Sequence, residues 1–321
     1  MAASTNSYYG FNRILAEYAG LSAPPPIFGY LQHGWHHGWP PWFDDELHFS
    51  RLPKWIPKLM WSQADVETIE RAGVTNARAV GSPFLYLLRM HPPAPPPGDG
   101  SLLCFPFHAS EIGAHATSWS EYADYLRERS GGGRVTICLH YMEYAQSELR
   151  SMFEGLGFEV TTNGTLHDPA FLRRLATLIE CHDAVTTNRL GTAIVYAGAV
   201  GRPIDLGGPL AGLTVDSHGR PLDTERERME AYQRERYPEL VGGLDGPAAR
   251  RLALAELGEA DMLQPDRLCD ALGWRGARRV AARGLAAAAA VRRRLSGEAA
   301  LDSSRTTSSD EPELIRTPEG S

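Results

Sequence analysis

Residues 184–206 read AVTTNRLGTAIVYAGAVGRPIDL: a β-branched run, a turn of small and polar residues, an apolar helical stretch, then a short apolar run behind Gly201-Arg202-Pro203. Two strands so close together pair in parallel only through a crossover of about a dozen residues, and a helix supplies it. The same alternation extends toward the N-terminus. Strand LLCFP (102–106), helix 119–129, the Gly131-Gly132-Gly133 turn, strand VTICLH (135–140), helix 143–155, strand FEVTT (158–162) and helix 168–182 precede strand AVTT, helix 192–200 and strand PIDL. Short β-branched runs separated by amphipathic helices are the pattern of a parallel sheet with helices on both faces. The expected fold class is α/β, with a Rossmann-like lobe over 101–210. In helix 168–182, Phe171, Leu172, Leu175, Leu178 and Ile179 recur at spacings of three and four, and Asp168-Pro169 reads as an N-cap followed by proline at the first helical position.

Outside that lobe the pattern changes. HPPAPPPGDG (91–100) holds five prolines and two glycines, too many for a helix or an interior strand, and reads as a linker. Before it, residues 8–19 (YYGFNRILAEYA) read as a helix and IFGYLQ (27–32) as a buried strand with His33 at its tip. KLMWS (58–62) reads as a strand, followed by a helix from Ala64, a strand in ARAVGSP and the apolar FLYLL. Two or three strands make a reduced N-terminal lobe over 1–90. After residue 210, helices near 222–236, 246–257 and 265–273 and the Ala- and Arg-rich stretch 277–295 form a helical extension over 211–296. Residues 297–321, rich in Ser, Thr, Glu and Pro, read as a disordered tail.

Composition narrows the classes. With 43% apolar and 9% aromatic residues the 321-residue chain is neither disordered nor fibrous, and it has room for one large or two modest domains. A net charge of −7 argues against nucleic acid as a partner. The charge is uneven: seven arginines and no acid lie between Ala271 and Gly297, which leaves the rest of the chain at −14. That stretch fits either a helix packed on the second lobe or a peripheral contact with anionic lipid through 277–295. No secretory signal or run of about 20 apolar residues is present, so the expected location is cytoplasmic. Cys104, Cys138, Cys181 and Cys269 lie too far apart for a zinc ribbon and read as buried hydrophobes.

Ligands of open parallel sheets bind beyond the carboxyl ends of the strands, so candidate site residues should follow strands. Thr187 to Thr192 does so. Amides at Gly191, Thr192 and Ala193 suit an anion, the Thr192 hydroxyl suits a phosphate oxygen, and Arg189 and Asn188 are further candidates for substrate contact. The alternative is that residues 188–192 merely cap the helix. His33, His108 and His140 each end a strand, beside Ser110 and Glu143, and supply groups suited to general base chemistry or to binding phosphate and hydroxyls. Glu143 also suits a helix start for dipole reasons alone. His33, His36 and His37 have HxxHH spacing but lack the helix and carboxylate of a metal site, and Trp35, Trp39 and Trp42 among them suit a sugar-stacking or lid loop.

Taken in order, HGW at a strand end, WSQADVETIERAGVTNARAVGSPFLY, FPFHAS, VTICLHYMEY, GFEVTTNG and VTTNRLGTAIVYAGAVGRPIDL resemble the two-lobed GT-B glycosyltransferases and their capsule or surface polysaccharide relatives, over residues 27–208. The resemblance implies a C-terminal lobe holding a nucleotide-sugar donor and an N-terminal lobe facing a saccharide or lipid-linked acceptor, with no cofactor and no metal. On it, His33 is the expected base, with Glu143 a second catalytic candidate. Gly191 and Thr192 receive the diphosphate, and His108, Ser110, His140, Asn188 and Arg189 contact substrate. The N-terminal lobe departs from the family in being short. A nucleotide-sugar epimerase of the same fold and a non-catalytic binding protein of polysaccharide assembly are the alternatives.

Overall fold

Two parallel sheets organise the chain. In the computed structural model, residues 6–36, 52–108, 114–116, 118–215, 224–276, 280–284 and 287–288 are described. The first sheet has β1 (Tyr30–Leu31), β2 (Lys58–Met60) and β3 (Ala77–Ala79) in that order. Tyr30 pairs with Lys58 and Lys58 with Ala77, both in parallel. Helix α1 (Phe11–Tyr18) precedes the sheet, α2 (Gln63–Arg71) connects β2 to β3, and α3 (Pro83–Met90) follows. Ser62 caps α2 by accepting from the Asp65 amide while the Asp65 carboxylate accepts from the Ser62 amide. The FLYLL run is helical within α3, because Ser82 caps it and Pro83 occupies the first turn.

The second sheet carries the alternation read from the sequence. In chain order its region contains β4 (Leu102–Cys104), β5 (Ala114–Ala116), α4 (Trp119–Ser130), β6 (Val135–Leu139), α5 (Tyr141–Ala145), α6 (Ser147–Gly155), β7 (Glu159–Thr162), α7 (Phe171–Glu180), β8 (Ala184–Thr187), α8 (Thr192–Val200), β9 (Ile204–Leu206) and β10 (Gly212–Val215). Five strands form the sheet in the order β7-β6-β4-β8-β9, every neighbour parallel. Strand order reverses between β4 and β8, the kind of switch point beside which open parallel sheets bind ligands. Strands β5 and β10 pair antiparallel outside the sheet, an element with no counterpart in the sequence reading.

Three local expectations change. Helix 143–155 is two helices broken at Gln146, whose ψ of 102° is extended. Helix α7 starts at Phe171 rather than at Pro169. The Asp168 carboxylate accepts from the Ala170 amide at 2.7 Å and its carbonyl from the Phe171 amide at 3.2 Å, so Asp168 makes a turn ahead of the helix instead of capping it. The buried face of α7, Leu172, Leu175, Leu178 and Ile179, lies where the spacing places it. Cys181 is exposed, whereas the other three cysteines are buried.

The proline-rich 91–100 segment is fastened to the second sheet. Asp183 accepts from the Gly98 and Gly100 amides, and buried Arg202 donates to Ala94 O at 3.0 Å and Glu180 O at 3.0 Å. The residues just ahead of α1 also reach the segment after β7. The Tyr9 amide donates to Leu166 O at 2.6 Å, and Gly10, at φ +77°, lies so close to Pro169 that a Cβ would stand 2.2 Å from its carbonyl oxygen.

Past β10 come α9 (Glu225–Arg236), α10 (Pro238–Gly242), α11 (Gly246–Glu256) and α12 (Pro265–Ala271). Helix α11 packs on α8, while Leu272 O, just past α12, accepts from the Phe28 amide beside the first sheet. One hydrophobic cluster joins Phe11, Leu31, Trp61, Leu103, Leu172, Val195, Leu240 and Trp274, so both sheets and the helical extension share buried surface. Most of the arginine-rich stretch 277–295 and all of 297–321 lie outside the described residues. No helix among the described residues is long and apolar enough to cross a membrane.

Candidate functional site

At the switch point several side chains bond to the chain's own backbone. Asn188, immediately after β8, accepts the Phe107 amide at 2.9 Å on its side-chain oxygen and donates to Pro209 O at 3.3 Å. The Thr187 hydroxyl reaches Phe105 O at 2.8 Å and Arg189 O at 2.9 Å. Arg189 is 1% exposed, its guanidinium 4.3 Å from the Phe107 ring centre and donating to Ala211 O at 3.2 Å. Asn188 and Arg189, expected to touch substrate, therefore hold the ends of β4, β8 and the chain after β9 together. Burial of a guanidinium is tolerable there because an aromatic face and a carbonyl replace its water.

Just after these residues, Gly191 caps and Thr192 begins α8. Gly191 is extended at φ −165°, and a Cβ built on it meets nothing within 4 Å, so the position is open. The Thr192 hydroxyl accepts from the Trp35 amide at 3.0 Å. This bond brings the residues after β1 onto the helix that follows β8, and the carboxyl ends of the two sheets converge there.

The segment 32–35 is held on both sides. Fully buried Gln32 donates to Gly34 O at 2.8 Å and accepts from the Trp61 amide at 2.8 Å, and its carbonyl accepts from Trp61 Nε1 at 3.0 Å. Trp35 is fully buried; its indole donates to Glu256 Oε2 at 2.8 Å, and Tyr237 donates to the same oxygen at 3.1 Å. Burial of Tyr237, with the Glu256 carboxylate adding to it, drives its hydroxyl far above the usual tyrosine range. Trp35 thus anchors the loop and does not serve as a sugar-stacking surface. Between these anchors His33 is half-buried, with Nδ1 at 2.9 Å from the Tyr30 hydroxyl and Tyr8 edge-on at 5.7 Å.

A second histidine cluster lies at the ends of β4 and β6. His108 and His140 stack with centroids 4.1 Å apart and an interplanar angle of 6°. Phe107 lies nearly parallel to His108 at 6.2 Å and Tyr141 tilts against His140 at 4.5 Å. Burial pushes the His140 imidazole down to about 4, so it is neutral at pH 7. Glu143, 4% exposed, sits in the first turn of α5, which His140 precedes as N-cap residue. His140 and Glu143 are accordingly more enclosed than a strand-end reading implies.

His36 approaches Asp65 at 4.0 Å, and Asp65 is committed to capping α2. No group of three or more His, Cys, Asp or Glu side chains among the described residues gathers tightly enough for a metal ion. Ser110, His37, Trp39 and Trp42 lie outside the described residues. The sequence reading missed His167, whose ring meets Tyr8 at 5.2 Å. It follows β7 by five residues, so the strand-end rule that found His33, His108 and His140 reaches it only when the loop is included. Tyr8, Tyr30, Tyr237 and Glu256 carried no local signal at all.

No family model matches the chain, and no curated protein matches it. Among solved structures, it aligns with the wall teichoic acid polymerase TagF at 13% identity and a TM-score of 0.29, over 62% of this chain and 57% of that one. The parallel α/β class rests on the strand order itself.

Proposed function

We propose that the protein is a glycosyltransferase of two facing Rossmann-like lobes, moving a sugar from a nucleotide-sugar donor to a saccharide or lipid-linked acceptor. The observation that carries the reading is the Trp35 to Thr192 hydrogen bond, because it puts the carboxyl ends of both parallel sheets at one place. The amides at Gly191 and Thr192 receive the donor's diphosphate, helped by the positive end of α8. His108 contacts the donor from the end of β4. Transfer needs a base beside the acceptor hydroxyl to take its proton, and that role is assigned to His33, which follows β1. Stabilisation of the departing diphosphate by amides and helix dipole requires no metal.

The first sheet, three-stranded among the described residues, favours a second reading, a nucleotide-binding protein of the same fold without turnover. One experiment separates the two. A thermal-shift screen with UDP, GDP and CMP and their sugar conjugates is followed by a turnover assay on any hit. Stabilisation with turnover supports the transferase, stabilisation without hydrolysis or transfer supports the binding protein, and no stabilisation by any nucleotide removes both.

A further inference from the structure

We infer that His182 is an acid-sensitive latch on the proline-rich segment, whatever reaction the protein carries out. Its neutral ring helps to hold Arg134 beside that segment's Asp99, and a proton on the ring reverses the Thr136 hydrogen bond and drives Arg134 away.

His182 follows α7 and is 1% exposed. Its amide turns to Ile179 O at 3.2 Å, and the imidazole takes up the helix carbonyl left over, with Nδ1 at 2.8 Å from Leu178 O. A carbonyl only accepts, so Nδ1 carries a proton in the neutral ring as well as in the charged one. Nε2 then faces the Thr136 hydroxyl at 2.8 Å and Arg134 Nη1 at 3.3 Å. Thr136, 4% exposed on β6, also stands 3.0 Å from Glu159 Oε2 on β7. Arg134 completes the group. Its Nη1 lies 3.4 Å from Glu159 Oε2, and its Nη2 donates to Cys181 O at 3.1 Å and stands 3.6 Å from Asp99 Oδ2. Asp99 in turn accepts from the amide of buried Ser101 at 3.0 Å, just ahead of β4.

In the neutral ring Nε2 only accepts, and a guanidinium, which only donates, lies beside it without conflict. A second proton makes Nε2 a donor. Its nearest acceptor is Thr136 Oγ1, whose single hydrogen then goes to Glu159, and Arg134 meets a cation where it met a lone pair. Arg134 has lost an acceptor and gained a like charge, so it moves outward. Its pair with Asp99 joins two partly exposed side chains and is worth little once the guanidinium is no longer fixed. Burial first holds the ring below the ordinary histidine range, with Arg134 adding to it and the Leu178 bond, Glu159 and Asp99 opposing. Cys181 and Asp183 flank the ring in the chain, Asp183 bonded to the Gly98 and Gly100 amides, and Arg202 sits on the carbonyls of Ile179 and Glu180. The latch is therefore closed at neutral pH and opens as pH falls through the lowered titration.

The test is long-range proton–nitrogen NMR on histidine-labelled protein, with His182 assigned by backbone connectivity, alongside hydrogen exchange at the Ser101 amide. The parent is expected to show the Nδ1–H tautomer at pH 8; an Nε2–H tautomer overturns the latch without any variant. Ser101 protection, corrected for intrinsic exchange, should fall about two- to fivefold as His182 becomes charged and with the same midpoint. Protection that ignores the ring's charge overturns the latch, as does a fall that persists in His182→Gln. Thr136→Val removes the acceptor that only the charged ring needs, while Arg134 still serves the neutral one. It should lower the His182 titration by about one unit, and an unchanged or raised titration refutes the reversal at Thr136.

Discussion

Gly198 lies inside α8, where the helix meets α11. A Cβ built on it stands 2.8 Å from the Ala249 carbonyl oxygen, 3.0 Å from Ala253 Cβ and 3.3 Å from the Ala249 carbonyl carbon. Gly198→Ala sets two effects against each other. Alanine is favoured over glycine in a helix interior by about 0.8–1 kcal/mol. Overpacking typically costs about 1–3 kcal/mol, and here the nearest atom is backbone, which cannot swing aside. Strain at a rigid backbone atom this close outweighs propensity, for an expected net loss of up to about 2 kcal/mol. Gly155→Ala is the control. It also sits in a helix, at the end of α6, but its Cβ meets nothing within 4 Å. That variant is expected to be unchanged or more stable by up to about 1 kcal/mol. Urea unfolding followed by tryptophan fluorescence reads both as shifts in midpoint at constant slope. In a melt, each kcal/mol corresponds to about 2–4 °C. A Gly198→Ala protein at least as stable as the parent would refute the close packing of α8 on α11, and with it the account of what holds the Gly191 helix start in place.

Four further outcomes follow from named contacts. His140 titrates near 4 in the fold because of burial, against about 6.5 in the unfolded chain. The unfolded chain binds more protons between those values, so this contribution is complete above about pH 6.5 and is lost as pH falls toward 4. His182 is also pushed down, by burial first. His140→Gln should flatten the pH dependence of the urea midpoint over that window, and an unchanged slope counts against the buried stack. Asp205 accepts from Tyr125, from Arg129 at 3.1 Å and from Thr186 at 3.0 Å, so Asp205→Ala should cost about 2–3 kcal/mol once the partial exposure of Arg129 is allowed for. A loss below about 1 kcal/mol would contradict that network. Gly191→Ala keeps its amide but adds a methyl group on the open side where the diphosphate is proposed to approach, so it should leave the melting curve in place while weakening nucleotide binding about tenfold by crowding; unchanged affinity in calorimetry would count against the proposed close approach. Trp35→Phe keeps an aromatic ring but loses part of the buried indole and its bond to Glu256, for an expected cost of at least about 1–2 kcal/mol, and unaltered stability would show that neither holds the loop.

Local pattern made the second sheet legible. Its short apolar strands are punctuated by glycines and prolines, and α7 repeats its apolar residues at helical spacing, at Leu172, Leu175 and Ile179. Such patterns depend on neighbours within a few turns of chain. The same locality explains the errors at Asp168 and Gln146, where a turn and a helix break were decided by hydrogen bonds and backbone angles that residue type alone left open. It also explains why FLYLL resisted assignment, since a short apolar run fits a buried strand or a buried helix equally well.

For the site, the sequence placed His33, His108, His140 and Thr192 at the ends of strands because strand ends are a local property. It could not say which of them meet, nor that Asn188 and Arg189 turn inward. Trp35 lies 157 residues from Thr192 and 221 from Glu256, and the bonds between them exist only after both sheets and the C-terminal helices have packed together. By itself the sequence determined the alternating α/β elements and their apolar faces. Tertiary structure alone decided the strand order, the convergence of the two carboxyl edges and the setting of His33 against Tyr30. Contacts between distant residues carry no short-range periodicity, because a side chain's partner across the fold depends on how whole elements pack, not on the residues beside it.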